Sequence, residues 1–245
     1  MSPETDPHSQ AEAFLETFRA MGSPERAEGQ RAYLKSELQF CGVTAAELRA
    51  EAKRFKREHP DIDHDQLTGL VEELWRTPWH ELRSVGIALL ELFPDLLRPD
   101  DLSLLEDLLR RSRTWAYVDW LAIHVVGPIV EQWPETTEVL ERWATDGDFW
   151  IRRSAMLALL FPLRRGGGDF ELFARFASPM IEEREFFIRK AIGWVLREVS
   201  KKRPQLAFDF LDRHVATVSG LTLREGAKYL PLDERENLLK RYRER

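Results

Sequence analysis

The chain has 245 residues, a formal net charge of −6, 43% apolar content and 32% charged residues of both signs. That composition supports a sizeable core and excludes a disordered chain, and the acidic balance by itself argues against a nucleic-acid partner. No apolar run approaches the roughly 18 residues that a membrane span needs, and the lone Cys41 has no partner for an internal disulfide or a zinc site, which fits a reducing cytoplasm.

In chain order, the opening MSPETDPHSQAEAF lacks the basic and apolar regions of a signal peptide. Residues 1–11 read as a disordered tail and 12–245 as one domain. Strand signals are nearly absent, with no alternating β-branched runs joined by Asn-Gly or Gly-Gly turns. Helix signals recur instead, with apolar residues at i, i+3 and i+4 and breaks at Pro60, Pro94, Pro99, Pro134, Pro162, Pro179, Pro204 and Pro231. The stretch DIDHDQLTGLVE, Asp61 to Glu72, imitates a calcium loop, but Gln66 stands where the turn needs Gly and Thr68 where it needs an aliphatic residue. The competing reading is a turn whose acids favour the positive start of the following helix. His59 and His64 lie nearby, and no metal is assigned there. The chain has no H-E-x-x-H, P-loop, G-x-G-x-x-G or G-x-S-x-G motif, which removes most support for hydrolases and nucleotide-binding enzymes of those classes.

Four later segments align: WHELRSVGIALL from Trp79, WAYVDWLAIHVV from Trp115, FWIRRSAMLALL from Phe149 and FFIRKAIGWVLR from Phe186. Arg83, Asp119, Arg153 and Lys190 share a column, with offsets of 36, 34 and 37. One turn earlier stand Trp79, Trp115, Phe149 and Phe186; one turn later stand Ile87, Ile123, Leu157 and Trp194. A helical hairpin cannot bury its apolar face alone, so this recurrence predicts an all-α fold of stacked hairpins, a HEAT-like superhelical solenoid. Such a solenoid is expected to be a monomer. Its concave side would carry the column as a ladder of charges. The ladder is either a solvated face or a binding stripe; the aromatics one turn before every member, and the single acid among bases, favour the stripe. His124 reads as a partly buried polar residue, and Trp133, Trp143 and Trp150 as core or interface anchors. The net charge also hides an asymmetry: Arg184 to Arg203 carries seven Lys/Arg against two Glu, so a basic face on an acidic protein is compatible with the totals.

The blocks Trp115-Ala-Tyr-Val-Asp119, Phe149-Trp-Ile-Arg-Arg153-Ser-Ala and Phe186-Phe-Ile-Arg-Lys-Ala-Ile-Gly-Trp194-Val-Leu-Arg-Glu198, with the early segment YLKSELQFCGV from Tyr33 to Val43, resemble the DNA alkylation repair family of HEAT-like DNA glycosylases. The resemblance spans most of the chain. It implies a concave DNA-binding face and a monofunctional alkylpurine DNA glycosylase of the bacterial cytosol or nucleoid. Such an enzyme excises positively charged N3- or N7-alkylated purines from double-stranded DNA by hydrolysing the N-glycosidic bond, with no cofactor, metal or membrane. By the family pattern Asp119 matches the catalytic aspartate, and Trp115 and Trp194 the aromatics around the lesion. One arginine of the Arg152–Arg153 pair matches the phosphate contact. Arg153 is favoured because it shares the Asp119 column, whereas Arg152 points about 100° away around the helix. Lys190, Arg197, Lys201 and Lys202 would neutralise further phosphates. Where the family usually reads Trp-Asp-x-Val-Asp, this chain has Ala116 in place of the first Asp. That departure and the acidic balance leave an alternative: a non-catalytic solenoid of the same ancestry that binds DNA structures or a protein partner.

Overall fold

The computed structural model describes residues 6–245. Among these residues the protein is all-α, with a single parallel bridge between Gln39 and Trp79 as its β-type pairing. Asp6 accepts a hydrogen bond from the Ser9 N–H and caps α1 (Pro7–Met21), with Pro7 in the first turn where its missing N–H costs nothing. Residues 7–11 are therefore helical, a correction to the expected disordered tail; the remainder of that expectation, residues 1–5, lies outside the described residues. By contact the chain groups into two compact units, one ending at Asp101 and one beginning at Leu102.

In the first unit α1 is followed by α2 (Pro24–Leu34), α3 (Ala45–Glu58), α4 (His64–Arg76) and α5 (His80–Leu92). α1 and α3 pack on the α4–α5 hairpin around Phe14, Phe18, Phe55, Leu74 and Trp75. The acids of the calcium-like stretch belong to the start of α4. Asp63 accepts from the Gln66 N–H while the Gln66 side chain accepts from the Asp63 N–H, a reciprocal cap. Buried Glu81 on α5 accepts from the Cys41 and Gly42 N–H groups at 2.9 and 2.8 Å. Gly42 is required there: its φ is +82°, and a Cβ would lie 2.2 Å from the Ser23 carbonyl oxygen. Burial, with Glu81 adding to it, pushes the Cys41 thiol up to about 12, so this cysteine is a packing residue.

The second unit contains α6 (Leu102–Ser112), α7 (Trp115–Leu121), α8 (Gly127–Gln132), α9 (Thr137–Ala144), α10 (Phe149–Leu157), α11 (Leu160–Arg164), α12 (Phe170–Ala177), α13 (Phe186–Ser200), α14 (Pro204–Arg213), α15 (Gly220–Gly226) and α16 (Leu232–Arg243). α7, α10, α13 and α15 pack in succession as an inner row. α6 packs on α7, α9 and α12 on α10, and α14 on α13, which is the HEAT-like hairpin stacking that the repeat predicted. Inner helices approach closely where a side chain is missing: a Cβ on Gly193 would lie 2.8 Å from Glu225 Cβ on α15. Between α7 and α8 the rod continues through a π turn, Ala122–Val126. Pro128 cannot donate to the ladder, and the wider turn accommodates that loss. Gly127 sits at the join because a Cβ there would meet the Ala158 carbonyl oxygen at 2.8 Å.

The outer row is tied by charge as well as packing. Glu106 on α6 accepts from Arg142 at 2.6 Å, from Arg110 at 2.6 Å and from Trp143 Nε1 at 2.8 Å. Arg142 is the chief cause that holds the Glu106 carboxyl at about 2, below its ordinary 4.5. A carboxyl depressed in the folded state contributes stability that is present above about pH 4.5 and is lost as pH falls toward 2. We expect the denaturation midpoint to fall through that window in wild-type protein, and to fall less in Glu106→Gln, as read by urea melts at stepped pH.

Candidate functional site

The inner helices of the second unit open in one way. Thr114 accepts from the N–H of Ala116 at 3.4 Å, Asp148 from that of Trp150 at 2.8 Å and Glu185 from that of Phe187 at 3.2 Å. Each satisfies one of the donors that a helix start leaves unpaired. Ser219 caps α15 in the same role. Counted from these caps, the next residue is aromatic in three of the four, Trp115, Phe149 and Phe186, and the fifth is Asp119, Arg153, Lys190 or Arg224. Arg224, exposed on α15, is a member that the aromatic pattern concealed, because Gly220 takes the aromatic position.

The same count corrects Arg83. The cap position of α5 is Trp79 itself, so Arg83 is the fourth residue after the cap, in register with Arg152 and Arg189 rather than with Asp119. All three arginines behave alike, donating to the main-chain carbonyl six residues earlier: Arg83 to Thr77 at 3.1 Å, Arg152 to Asp146 at 2.6 Å and Arg189 to Glu183 at 2.7 Å. Pairing Trp79 with Trp115 had moved the first repeat by one residue. Ser84 is the true counterpart of Asp119 on α5.

Asp119 and Arg153 meet directly. Arg153 Nε donates to Asp119 Oδ1 at 2.7 Å and Nη2 to Oδ2 at 2.8 Å, a parallel two-point pair between α7 and α10. Arg153 Nη1 donates to the Phe187 carbonyl on α13, and the Phe187 ring lies 5.9 Å from the guanidinium carbon. The arginine is 3% exposed, while the Asp119 side chain retains 15%. The carboxylate is thus the member of the pair that still reaches solvent. Phe149 stacks on Phe187 at 6.3 Å and Trp150 lies 4.6 Å from it, so the ring beside the guanidinium is itself packed among aromatics. Neither the Phe187 carbonyl nor its ring stood out in the sequence. The signal for them is the cap register, which makes Phe187 the second residue after the Glu185 cap, 34 residues after Arg153.

Trp115 is 36% exposed one turn before Asp119. Trp194 is half-buried on α13, seven residues after Phe187 and so on nearly the same stripe of that helix. The structure therefore gathers Asp119, Arg153 and Phe187 by contact, with Trp115 on the helix of Asp119 and Trp194 on the helix of Phe187. The expected phosphate contacts divide. Arg152 is turned inward, bonding Asp146, Gly147 and Glu183, and Arg153 is buried against Asp119. Arg197 bonds Glu225, and Lys201 bonds the buried Glu198 at 2.8 Å. Lys190 and Lys202 are exposed. Ala116 is half-buried at the N-terminal turn of α7, where Thr114 supplies the cap.

A family model described as DNA alkylation repair enzyme matches residues 14–230. The chain belongs to the DNA alkylation repair enzyme family. Solved structures resemble it. A predicted DNA alkylation repair enzyme from Enterococcus faecalis superposes with a TM-score of 0.78 at 25% identity, covering 86% of this chain and 98% of that one. AlkD2 from Streptococcus mutans superposes at 0.59 with 15% identity, over 77% and 91% of the two chains. The smu.31 protein of the same species superposes at 0.52 with 17% identity, over 80% and 92%. The last two likenesses speak to fold alone. No curated protein matches the chain. Membership in the family gives repair of alkylated DNA as the setting in which Asp119 and Arg153 are to be understood. Among the described residues no helix is long and apolar enough to cross a membrane.

Removing one partner of a largely buried ion pair leaves an uncompensated charge and costs about 3–5 kcal/mol. Because Asp119 keeps some solvent, the lower end applies to Arg153→Ala, a fall of about 6–12 °C in Tm for a chain of this size. Arg153→Lys keeps the charge without the planar two-point geometry and is expected to recover less than half of that loss, as read by thermal melts.

Proposed function

We propose that the protein is a monofunctional DNA glycosylase that hydrolyses the N-glycosidic bond of positively charged N3- or N7-alkylated purines in duplex DNA. The observation that carries this reading is the Asp119 carboxylate, fixed by two hydrogen bonds from buried Arg153 yet still open to solvent one turn from an exposed tryptophan.

The chemistry suits that arrangement. Alkylation makes the base a cationic leaving group, so when the C1′–N bond breaks its electron pair neutralises the base and no strong general acid is required. Positive charge moves onto the sugar as an oxocarbenium-like species. Asp119, held rigid, stabilises that charge and orients the water that adds to C1′, whose released proton passes to solvent. The Trp115 ring offers a face to a cationic base, worth about 0.5–2 kcal/mol. Arg153 has the part of a positioning residue: it removes the rotational freedom of the carboxylate, so that little reorganisation accompanies bond cleavage. Phosphates fall to the exposed Lys190, Lys202 and Arg224.

The test is release of 7-methylguanine or 3-methyladenine from methylated duplex DNA in single-turnover experiments. Asp119→Asn is expected to slow release by about 100-fold or more, with thermal melts checking that the variant folds. Unchanged release in that variant removes the assigned role. The non-catalytic reading is favoured by two observations: both Asp119 oxygens are already bonded to Arg153, and Ala116 replaces the first acid of the family pattern. Salt-sensitive duplex binding by wild-type protein with no base release would select it.

A further inference from the structure

Away from the Asp119 pair, the far end of α13 carries a second aromatic and cationic group. Tyr229, in the turn after α15, is 50% exposed. Lys201 Nζ lies 5.1 Å and Lys228 Nζ 5.8 Å from its ring centroid. Lys201 is held in place by Glu198, which is 4% exposed and takes both carboxylate oxygens to Nζ at 2.8 Å. Arg164 also reaches Glu198, at 3.2 Å, so the carboxylate is a buried anchor with several cations around it. Lys202, the next residue, is exposed. Burying a glutamate to fix a lysine beside an exposed ring is more than a solvated surface needs, since free lysines keep their side-chain entropy by remaining mobile.

We propose that Tyr229, with Lys201 and Lys228 beside it, is a second contact for the sugar–phosphate backbone of DNA. The ring packs on a deoxyribose or an unstacked base, Lys228 bonds a flanking phosphate, and Lys201, tethered by Glu198, steadies the ring; this pairing of aromatic face and cation is what backbone recognition without sequence preference uses. The inference rests on DNA being the ligand of the proposed function. Lys201 is 14 residues beyond Phe187, whose carbonyl holds Arg153, which places the second contact about 21 Å along α13 from the Asp119 pair. Such an anchor fixes the register of the duplex on the protein without touching the lesion. It therefore governs affinity and leaves the chemical step alone.

The test uses the full chain and an unmodified duplex of about 20 base pairs, followed by fluorescence anisotropy at several salt concentrations. Tyr229→Ala and Lys228→Ala are each expected to raise Kd about five- to tenfold. Lys228→Ala is also expected to lower the slope of log affinity against log salt by about 0.9, the contribution of one phosphate contact. Base release at saturating enzyme should stay within about twofold of wild type, and thermal melts should be unchanged because both side chains are exposed. Wild-type binding with unaltered Kd and salt slope in both variants overturns the second contact and leaves the proposed function standing. No duplex binding by the wild-type protein overturns both.

Discussion

A guanidinium that is 3% exposed must find its acceptors inside the protein, and Arg153 finds them on both neighbouring helices. Two parallel bonds go back to Asp119 on α7 and one goes forward to the Phe187 carbonyl on α13. Each bond reaches the next inner helix, 34 residues away in either direction. Three consecutive inner helices are therefore registered by one side chain. The orientation of the Asp119 carboxylate and the position of Phe187, with the Phe149 and Trp150 rings packed on it, are tied to this one side chain.

That registration in turn depends on the caps. Thr114, Asp148, Glu185 and Ser219 fix where each inner helix starts, and a helix started one residue earlier or later would rotate the fifth position by about 100°. The neighbouring column shows the same economy, with arginines folded back onto the loop before the helix at α5, α10 and α13. Close approaches at Gly127, against the Ala158 carbonyl, and at Gly193, against α15, keep the neighbouring packing tight.

Much of this was legible in the sequence, because hydrophobic periodicity and proline breaks dictate helices and a recurrence near 35 residues dictates stacked hairpins. The same recurrence puts Asp119 and Arg153 in one column, but the family pattern assigns Arg153 to a phosphate, whereas in the structure it bonds Asp119. Three features were hidden for identifiable reasons. Arg83 was placed one residue out of register because the tryptophan at the cap of α5 imitates the tryptophan after the cap of α7. The burial of Arg153 was hidden because charge in a sequence suggests solvent, and only the facing acid one repeat earlier reveals a partner. The π turn at Ala122–Val126 and the role of the Phe187 carbonyl are backbone events, which side-chain patterns do not encode. The division into two units at Asp101 was masked because the helical pattern runs on across it, although charge changes there: 12 Lys/Arg against 20 Asp/Glu up to Asp101, and 24 against 22 after it.

The central claim is that Asp119 and Arg153 act as one catalytic unit, the arginine through the carboxylate. A double-mutant cycle of single-turnover base release from methylated DNA tests it most directly, with Asp119→Asn, Arg153→Lys and the double variant compared with wild type. The account predicts that the double variant releases base no more slowly than Asp119→Asn alone, because a positioning residue has nothing left to position. Losses that multiply across the cycle would contradict it, since they would mean that Arg153 contributes by a separate route.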